Sequence, residues 1–335
     1  MFRRIAVLGA GSWGMATAGL LSNNGAAVTL WEFDRAEYEK LSRLRAIPEK
    51  LQQFRLPEPV TITNRLDEAL SDAELVVLVV PSQYLRSVLQ QAKGRLGTGV
   101  GLVNLAKGIE TTSLSRMSEV IADELGTSTA QIATLSGPSH AEEVVLNMPT
   151  TVVVAGTDEG FVARLQKTFS GSSFRVYSSH DLVGVELGGS LKNIIAIAVG
   201  IVDGLALGDN TRGALITRGL AEMVRLGVAL GARAETFAGL SGIGDLVTTC
   251  TSRHSRNRHV GEMIGRGQQL NEILGAMEMV AEGVETTRSG YRLADLHCVE
   301  MPITAEVYQV LFENKSPLVA VEELMGRELK AEIWR

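Results

Sequence analysis

A glycine-rich turn near the amino terminus constrains the fold of this chain more than any other feature. GAGSWG (9–14) directly follows a short β-branched run at 3–8 and precedes a helix of small residues predicted at 15–23, after which a second strand is predicted at 27–31. This succession within about 30 residues is typical of a dinucleotide-binding α/β unit. Gly9 then permits the tight turn, Gly11 the approach of a pyrophosphate, and Gly14 the packing of the helix on the sheet. The helix start supplies backbone amides for the phosphates.

The end of the second predicted strand bears on which dinucleotide binds. Glu32 lies at a position where a carboxylate commonly binds the adenosine ribose of NAD, whereas Arg35 is placed to accept the 2′-phosphate of NADP. Either side chain could instead be solvated. The sequence therefore leaves the choice between NAD and NADP open.

The alternation of strands and helices continues to about residue 179. Fully apolar strands such as 75–80 predict a Rossmann-type α/β fold, in which a mostly parallel, doubly wound sheet is covered on both faces and some late strands run antiparallel at the edge. Ligands bind beyond the carboxyl ends of such strands, which places Lys107 near the crevice, although a surface lysine fits the position equally well. Further strands are predicted at 60–63, 100–105, 132–135, 151–155 and 174–177, with helices at 84–91 and 114–125.

Helical patterns replace the strand signals from residue 181 onward. We therefore expect a dinucleotide-binding domain at 1–179 and a helical substrate domain at 180–335. Helices are predicted at 182–205, 214–230 (capped by Asp209 or Asn210), 284–297, 305–312 and 318–325. At 136–142, Ser139 and Glu142 have the spacing of a capping box, so Ser139 is predicted to cap a helix, although this helix start could also face the substrate.

A single lysine interrupts the predicted helix at 182–205. Apolar residues occupy nearly every face of this helix, which indicates a buried element. An unpaired buried ammonium is costly, so Lys192 must meet an anion or release its proton readily, and the second property is the one that a general base needs at neutral pH. A structural lysine in an internal ion pair, or one that extends to the surface, is the alternative. This segment alone does not decide between them.

Charge and composition exclude several classes of function. A formal net charge of −6 argues against nucleic-acid binding by broad electrostatic attraction. Cys250 and Cys298 form no CxxC pair and are expected to be reduced thiols of a cytoplasmic protein. No signal peptide is evident, and the longest apolar run, 194–202, is shorter than the ~20 residues of a bilayer span, so no membrane insertion is expected. The histidines show no metal-ligand spacing, and His140, His180 and His297 are treated as ordinary.

A basic cluster at 253–259 lies within this acidic chain. Arg256 offers a cationic fork, and the adjacent Ser255 and Asn257 offer a hydroxyl and an amide, a combination that suits a phosphate monoester. A solvated helix face would have the same composition.

Six segments, in order and almost from end to end, resemble the soluble NAD(P)-dependent glycerol-3-phosphate dehydrogenases, and most closely the bacterial biosynthetic members. The resemblance implies interconversion of dihydroxyacetone phosphate and sn-glycerol 3-phosphate with NAD or NADP and no metal, supplying the backbone of glycerophospholipids, by a homodimer. The segments are GAGSWG (9–14), NLAKGIE (104–110), SGPSHAEE (136–143), ELGGSLKNIIAIAVGIVDGL (186–205), GLSGIGDLVTTCTS (239–252) and SRNRHVG (255–261).

The same resemblance implies roles for individual residues. Lys192 would donate and accept the proton at the substrate C2 oxygen, Asp245 would hold Lys192 and contact the substrate, and Lys107 would contact both substrate and cofactor. Gly137 and Ser139 would lie at the substrate, with Ser255, Arg256 and Asn257 at its phosphate. The implied cofactor contacts, beside the glycines and Glu32, are Ser12, Trp13, Arg35, Ala141, Val280, Glu282 and the shared Arg256.

Two other functions fit the same sequence. One is a related two-domain dehydrogenase acting on a hydroxy acid or a ketopantoate-like substrate, against which the basic cluster at 253–259 weighs, because such a substrate lacks a phosphate. The other is a non-catalytic dinucleotide sensor that binds a partner through its helical half. In that case Lys192, Asp245 and Lys107 would have no chemical task.

Overall fold

An eight-stranded sheet forms the first part of the chain. The computed structural model describes residues 1–52, 54–329 and 331–332. The strand order is β3-β2-β1-β4-β5-β6-β7-β8; all neighbours are parallel except β6 and β7, which confirms the predicted mostly parallel sheet with its antiparallel step. The strands are β1 (Arg4–Leu8), β2 (Ala27–Trp31), β3 (Thr61–Thr63), β4 (Leu75–Leu78), β5 (Gly101–Asn104), β6 (Ile132–Ser136), β7 (Thr150–Gly156) and β8 (Phe174–Ser179).

Helices cover both faces of the sheet. Successive residues of each strand point to opposite faces, so apolar strands need a packed layer on each side. On β1, Ile5 and Val7 join one apolar core, while Ala6 and Leu8 join a second core on the other face. The strand order reverses between β1 and β4, the position where open α/β sheets bind ligands. The helices of this part are α1 (Ser12–Asn23), α2 (Arg35–Leu44), α3 (Leu66–Leu70), α4 (Leu85–Ala92), α5 (Met117–Leu125), α6 (Ala141–Val144) and α7 (Glu159–Phe169).

The second part is helical and is built around one long helix, α8 (Leu182–Gly204). By length and hydropathy α8 could cross a membrane, but its most apolar window is fully buried inside the protein, so it is a core helix. The helices that follow are α9 (Gly208–Ala229), α10 (Asp245–Thr251), α11 (Arg256–Gly265), α12 (Leu270–Ala276), α13 (Glu282–Leu296), α14 (Pro302–Phe312) and α15 (Pro317–Met325).

Two predicted helix caps are wrong. Helix α9 begins at Gly208, six residues earlier than expected, so Asp209 lies in its first turn and neither Asp209 nor Asn210 precedes it. Helix α6 begins after His140, and the Ser139 hydroxyl donates to Gly137 O at 3.0 Å instead of accepting a backbone N–H. A local spacing does not reveal where a short helix begins when a neighbouring carbonyl offers the hydroxyl an alternative partner.

Glycines allow α8 and α11 to cross with their backbones in contact. A Cβ on Gly200 would lie 2.0 Å from Arg258 O, and one on Gly261 would lie 2.0 Å from Ile197 O. Gly204 and Gly265, four residues further along each helix, are packed in the same way. The first turn of α11 is therefore held at a fixed distance from α8.

We predict that Gly200→Ala lowers the free energy of unfolding by about 1–3 kcal/mol or more, because the methyl group would push two backbones apart. Gly213→Ala on α9 is the matched control, since no atom of the described residues lies within 4 Å of the position that its Cβ would occupy. That control should gain up to about 1 kcal/mol from helix propensity. Urea unfolding of both variants measures the difference, and equal stabilities would contradict this account of the crossing.

Candidate active site

A cavity of about 680 Å³ lies at the carboxyl ends of the central strands, between the sheet and α8. Both parts of the chain contribute to its wall. The predicted site residues that line it are Gly9, Gly11, Ser12, Trp13, Gly14, Glu32, Lys107, Ser139, Ala141, Lys192, Ser255, Arg256, Asn257, Val280 and Glu282. Gly137 and Asp245 lie behind this wall, and Arg35 lies outside it.

The glycine turn leaves the start of α1 open to the cavity. Gly9 has a φ of +109°, and a Cβ on Gly14 would lie 1.8 Å from Gly9 O, so both positions require glycine. A Cβ on Gly11 would meet no atom of the described residues within 4 Å. No side chain in the described part of the chain caps α1. Its first-turn amides are therefore available to a phosphate group, and the turn fits the pyrophosphate of a dinucleotide.

The two residues predicted to contact the adenosine ribose or its 2′-phosphate lie apart. Glu32 is 8% exposed, lines the cavity and accepts a hydrogen bond from Asp34 N at 2.9 Å. Burial raises the pKa of Glu32, while the Asp34 N–H and the nearby Lys50 oppose that change. Arg35 instead has a side chain that is 83% exposed and pairs with Glu39 at 3.1 Å. The structure brings only the carboxylate to the cavity.

A buried carboxylate lies between two lysines at the centre of the site. Lys192 Nζ lies 2.5 Å from Asp245 Oδ1, and Lys107 Nζ lies 2.6 Å from Asp245 Oδ2. Lys192 also donates to Thr249 Oγ1 at 2.5 Å, and Lys107 donates to Gly137 O at 3.0 Å. Thr249 lies one helical turn after Asp245 on α10, a spacing from which sequence reasoning could have found it.

Burial and mutual charge set the proton affinities of this cluster. Burial lowers the pKa of Lys192 to about 8; Lys107 acts in the same direction and Asp245 opposes it. Burial would by itself raise the pKa of Asp245, but the two ammonium groups outweigh it and the pKa is lowered. The pKa of Lys192 therefore lies close enough to neutral pH for the amine both to donate and to accept a proton.

Close backbone packing brings Asp245 to Lys192. A Cβ on Gly188 of α8 would lie 2.6 Å from Ser241 O, in the turn that precedes α10. Gly242, in the same turn, has φ −94° and ψ −107°, and its Cβ position is occupied by the backbone of Phe237. The turn can follow this path only with glycine at these contacts, and α10 then starts with Asp245 facing α8.

The basic cluster forms the start of α11, a helix that was not predicted. Ser255 is its N-cap and accepts from Arg258 N at 3.2 Å. Arg256 Nη1 donates to Val280 O at 2.9 Å, and its side chain lines the cavity. A helix N-terminus with an adjacent guanidinium is suited to a phosphate monoester.

Two buried amides connect the start of α11 to the lysine cluster. Asn193 Nδ2 donates to Lys107 O at 3.1 Å, and Asn257 Nδ2 donates to Asn193 Oδ1 at 2.9 Å. Asn257 Oδ1 in turn accepts from Gly283 N at 2.9 Å. Asn193 was not singled out from the sequence, although it follows Lys192 directly. These three hydrogen bonds hold four segments of the chain around the cavity.

His140, which no sequence pattern singled out, lines the cavity. Its Nε2 is buried and has no hydrogen-bond partner among the described residues. Burial, followed by the charges of Lys192 and Lys107, lowers the pKa of His140 to about 4, so the ring is neutral at neutral pH. A buried polar atom without a partner favours a polar ligand in this part of the cavity.

Glu282 joins the two parts of the chain. Its carboxylate accepts from Ser82 N at 2.9 Å and from Ser82 Oγ at 2.5 Å, in the loop after β4. Burial raises the pKa of Glu282. The predicted cofactor residue thus also ties the start of α13 to the sheet. Within the described residues, no group of three or more His, Cys, Asp and Glu side chains is placed to hold a metal ion.

Known proteins match this arrangement over nearly the whole chain. The family model for the N-terminus of NAD-dependent glycerol-3-phosphate dehydrogenase matches residues 4–162, and the model for the C-terminus of the same family matches residues 181–322. A glycerol-3-phosphate dehydrogenase [NAD(P)+] from Geobacter sulfurreducens is 53% identical over 335 residues, covering 100% of both chains. One from Thermoanaerobacter sp. is 50% identical and covers 98% of this chain and 99% of its own.

A solved structure agrees with the sequence matches. The crystal structure of glycerol-3-phosphate dehydrogenase from Coxiella burnetii superposes with a TM-score of 0.94 at 40% identity, covering 97% of this chain and 99% of that one. The N-terminal and C-terminal models of this family thus both match the chain, in that order, and the two matched regions share one cavity. The chain therefore belongs to the NAD-dependent glycerol-3-phosphate dehydrogenase family.

Proposed function

We propose that this protein interconverts dihydroxyacetone phosphate and sn-glycerol 3-phosphate with a nicotinamide dinucleotide, as an enzyme of glycerophospholipid synthesis. The observation that carries the proposal is the Lys192 amine, buried at a cavity that has an uncapped helix start at one end and the Arg256 cluster at the other. In this reading residues 1–179 bind the dinucleotide and residues 180–335 supply the substrate site. The bound nicotinamide supplies the hydride.

The side chains of the site then divide the remaining tasks. In reduction, protonated Lys192 donates a hydrogen bond to the C2 carbonyl and transfers its proton to the developing alkoxide; in oxidation, neutral Lys192 removes that proton. Asp245 and Thr249 orient the amine, and Lys107 adds positive charge beside the reacting oxygen. Arg256 and the start of α11 bind the phosphate, and the unpartnered Nε2 of His140 offers a further polar contact to the substrate.

The principal test is a set of initial-rate assays on the purified full chain. We expect loss of the absorbance of reduced nicotinamide with dihydroxyacetone phosphate, and little with dihydroxyacetone or ketopantoate. Turnover of ketopantoate alone would favour the related two-domain dehydrogenase. No oxidation with any of these ketones would favour the dinucleotide sensor.

We predict that Lys192→Met lowers turnover by about 10²–10⁴-fold, because proton transfer at C2 loses its donor. Dinucleotide affinity should stay nearly unchanged, since Asp245 keeps Lys107 as its partner. Lys93→Met, at an exposed lysine, is the matched control and should retain full activity. Equal loss of turnover and of dinucleotide binding in Lys192→Met would argue against a catalytic amine.

Arg256→Ala should raise the KM for dihydroxyacetone phosphate by about ten- to hundredfold, the effect of losing one hydrogen bond to a charged group. Arg253→Ala removes the same charge three residues away, outside the cavity wall, and should leave KM close to that of the wild type. Steady-state kinetics of the two variants measure the difference. If both KM values rise alike, Arg256 does not contact the phosphate.

The two directions of the reaction should depend on pH in opposite ways. With the pKa of Lys192 at about 8, the initial rate of ketone reduction should fall as pH rises through that value, because the protonated donor is lost. The initial rate of alcohol oxidation should rise over the same interval, because the neutral base is gained. Saturating rates measured between pH ~6 and ~10 test this, and two profiles that move in the same direction would contradict it.

The proposed setting is the cytoplasm, and the proposed assembly is a homodimer. Free Cys250 and Cys298 support the first, and the family resemblance supports the second. Light scattering of the purified chain decides whether it is dimeric.

A further inference from the structure

The adenosine end of the proposed nucleotide site is acidic, and this inference rests on the proposed function. Glu32 follows β2 directly, beside the glycine turn, because Gly9 N donates to Trp31 O at 3.1 Å. The Glu32 backbone is itself fixed, since its N–H donates to Thr63 O at 3.0 Å. The carboxylate therefore occupies a defined position where the ribose of a dinucleotide lies.

One hydrogen bond orients this carboxylate and leaves the second of its two oxygen atoms available to a ligand. Oε1 accepts from Asp34 N at 2.9 Å, whereas Oε2 accepts no hydrogen bond from the described part of the chain. The side chain is 8% exposed and lines the cavity. A ribose hydroxyl donating to Oε2 would complete its bonding.

The neighbouring cations are already paired with other carboxylates. Arg35 extends into solvent and pairs with Glu39 at 3.1 Å. Lys50 lines the cavity, but its Nζ pairs with Glu37 at 3.2 Å. Between Glu32 and α2, the exposed side chain at the cavity is Phe33, which offers an apolar ring in place of a cation.

These contacts discriminate between the two nucleotides. The 2′-hydroxyl of NAD is a hydrogen-bond donor to a carboxylate, whereas the 2′-phosphate of NADP carries negative charge and offers only acceptors. A 2′-phosphate would therefore meet a like charge at short range and would find the nearby cations already paired. We infer that Glu32 makes this enzyme selective for NAD(H) over NADP(H).

Calorimetric titration of NADH and of NADPH into the full chain, without substrate, tests the inference directly. The wild type should bind NADH about ten- to hundredfold more tightly, the factor associated with one hydrogen bond to a charged group. Equal affinities, or tighter binding of NADPH, would overturn the inference.

Variants distinguish the effect of Glu32 on nucleotide preference from the effects of neighbouring residues. Glu32→Gln keeps the shape but removes the charge, and should reduce the NADH preference; Glu32→Gly combined with Phe33→Arg should reverse it. Glu49→Gln removes an exposed carboxylate from the same region and should leave the preference unchanged, as should Arg35→Ala. A preference that Glu32→Gln does not alter, or a selective loss of NADPH binding in Arg35→Ala, would overturn the role of Glu32. Melting temperatures verify that each variant is folded.

The binding test and the activity test can fail independently. Selective NADH binding without turnover of dihydroxyacetone phosphate would support the inference and contradict the proposed function. Turnover with equal affinity for both nucleotides would contradict the inference and leave the proposed function intact.

Discussion

The buried ion pairs of Asp245 with Lys192 and Lys107 are the interactions on which the rest of the site depends. An ammonium on the inward face of an apolar helix is stable only beside an anion, and removing one partner of such a pair typically costs about 3–5 kcal/mol. Because one carboxylate serves two lysines, the cluster keeps an excess of positive charge. That excess and the burial lower the pKa of Lys192, so the same arrangement supplies both structural stability and a proton donor near neutral pH.

Backbone contacts through glycine set the geometry around this cluster. Gly188 brings the turn before α10 against α8, while Gly200 and Gly261 bring α11 against the other end of α8. Side chains at these positions would move Asp245 and the start of α11 away from Lys192. Site geometry and packing are therefore set by the same residues, and in the proposed function small residues on α8 serve catalysis without contacting a ligand.

The two ends of the cavity use different means to recognise anions. Uncapped amides of α1 receive the pyrophosphate in the proposed complex, and a guanidinium beside the start of α11 receives the substrate phosphate. At the ribose end, in contrast, Glu32 presents negative charge. The proposed site thus attracts two phosphate groups and disfavours a third. Ser82 and Glu282 connect the two parts of the chain between these ends.

The sequence by itself determined the sheet, the glycine turn and the long apolar helix, because each depends on local periodicity or on a conformation that only glycine adopts. It also selected Lys192, since a single lysine in the middle of a largely apolar helix stands out without coordinates. It missed α11 and the short helices α2, α3, α7 and α12, whose patterns are brief.

Only the tertiary structure decided which polar groups meet. Asn193 and His140 reach the site only through the packing of segments that are distant in the chain, which no local pattern encodes, and the hydrogen bond from Lys192 to Thr249 joins two different helices. The choice between Glu32 and Arg35 is of the same kind. Both residues follow β2, but Glu32 comes directly after the strand and lines the cavity, whereas Arg35 starts a solvent-facing helix and pairs along it with Glu39. The direction of a side chain follows from the packing around it, which spacing in the sequence does not specify.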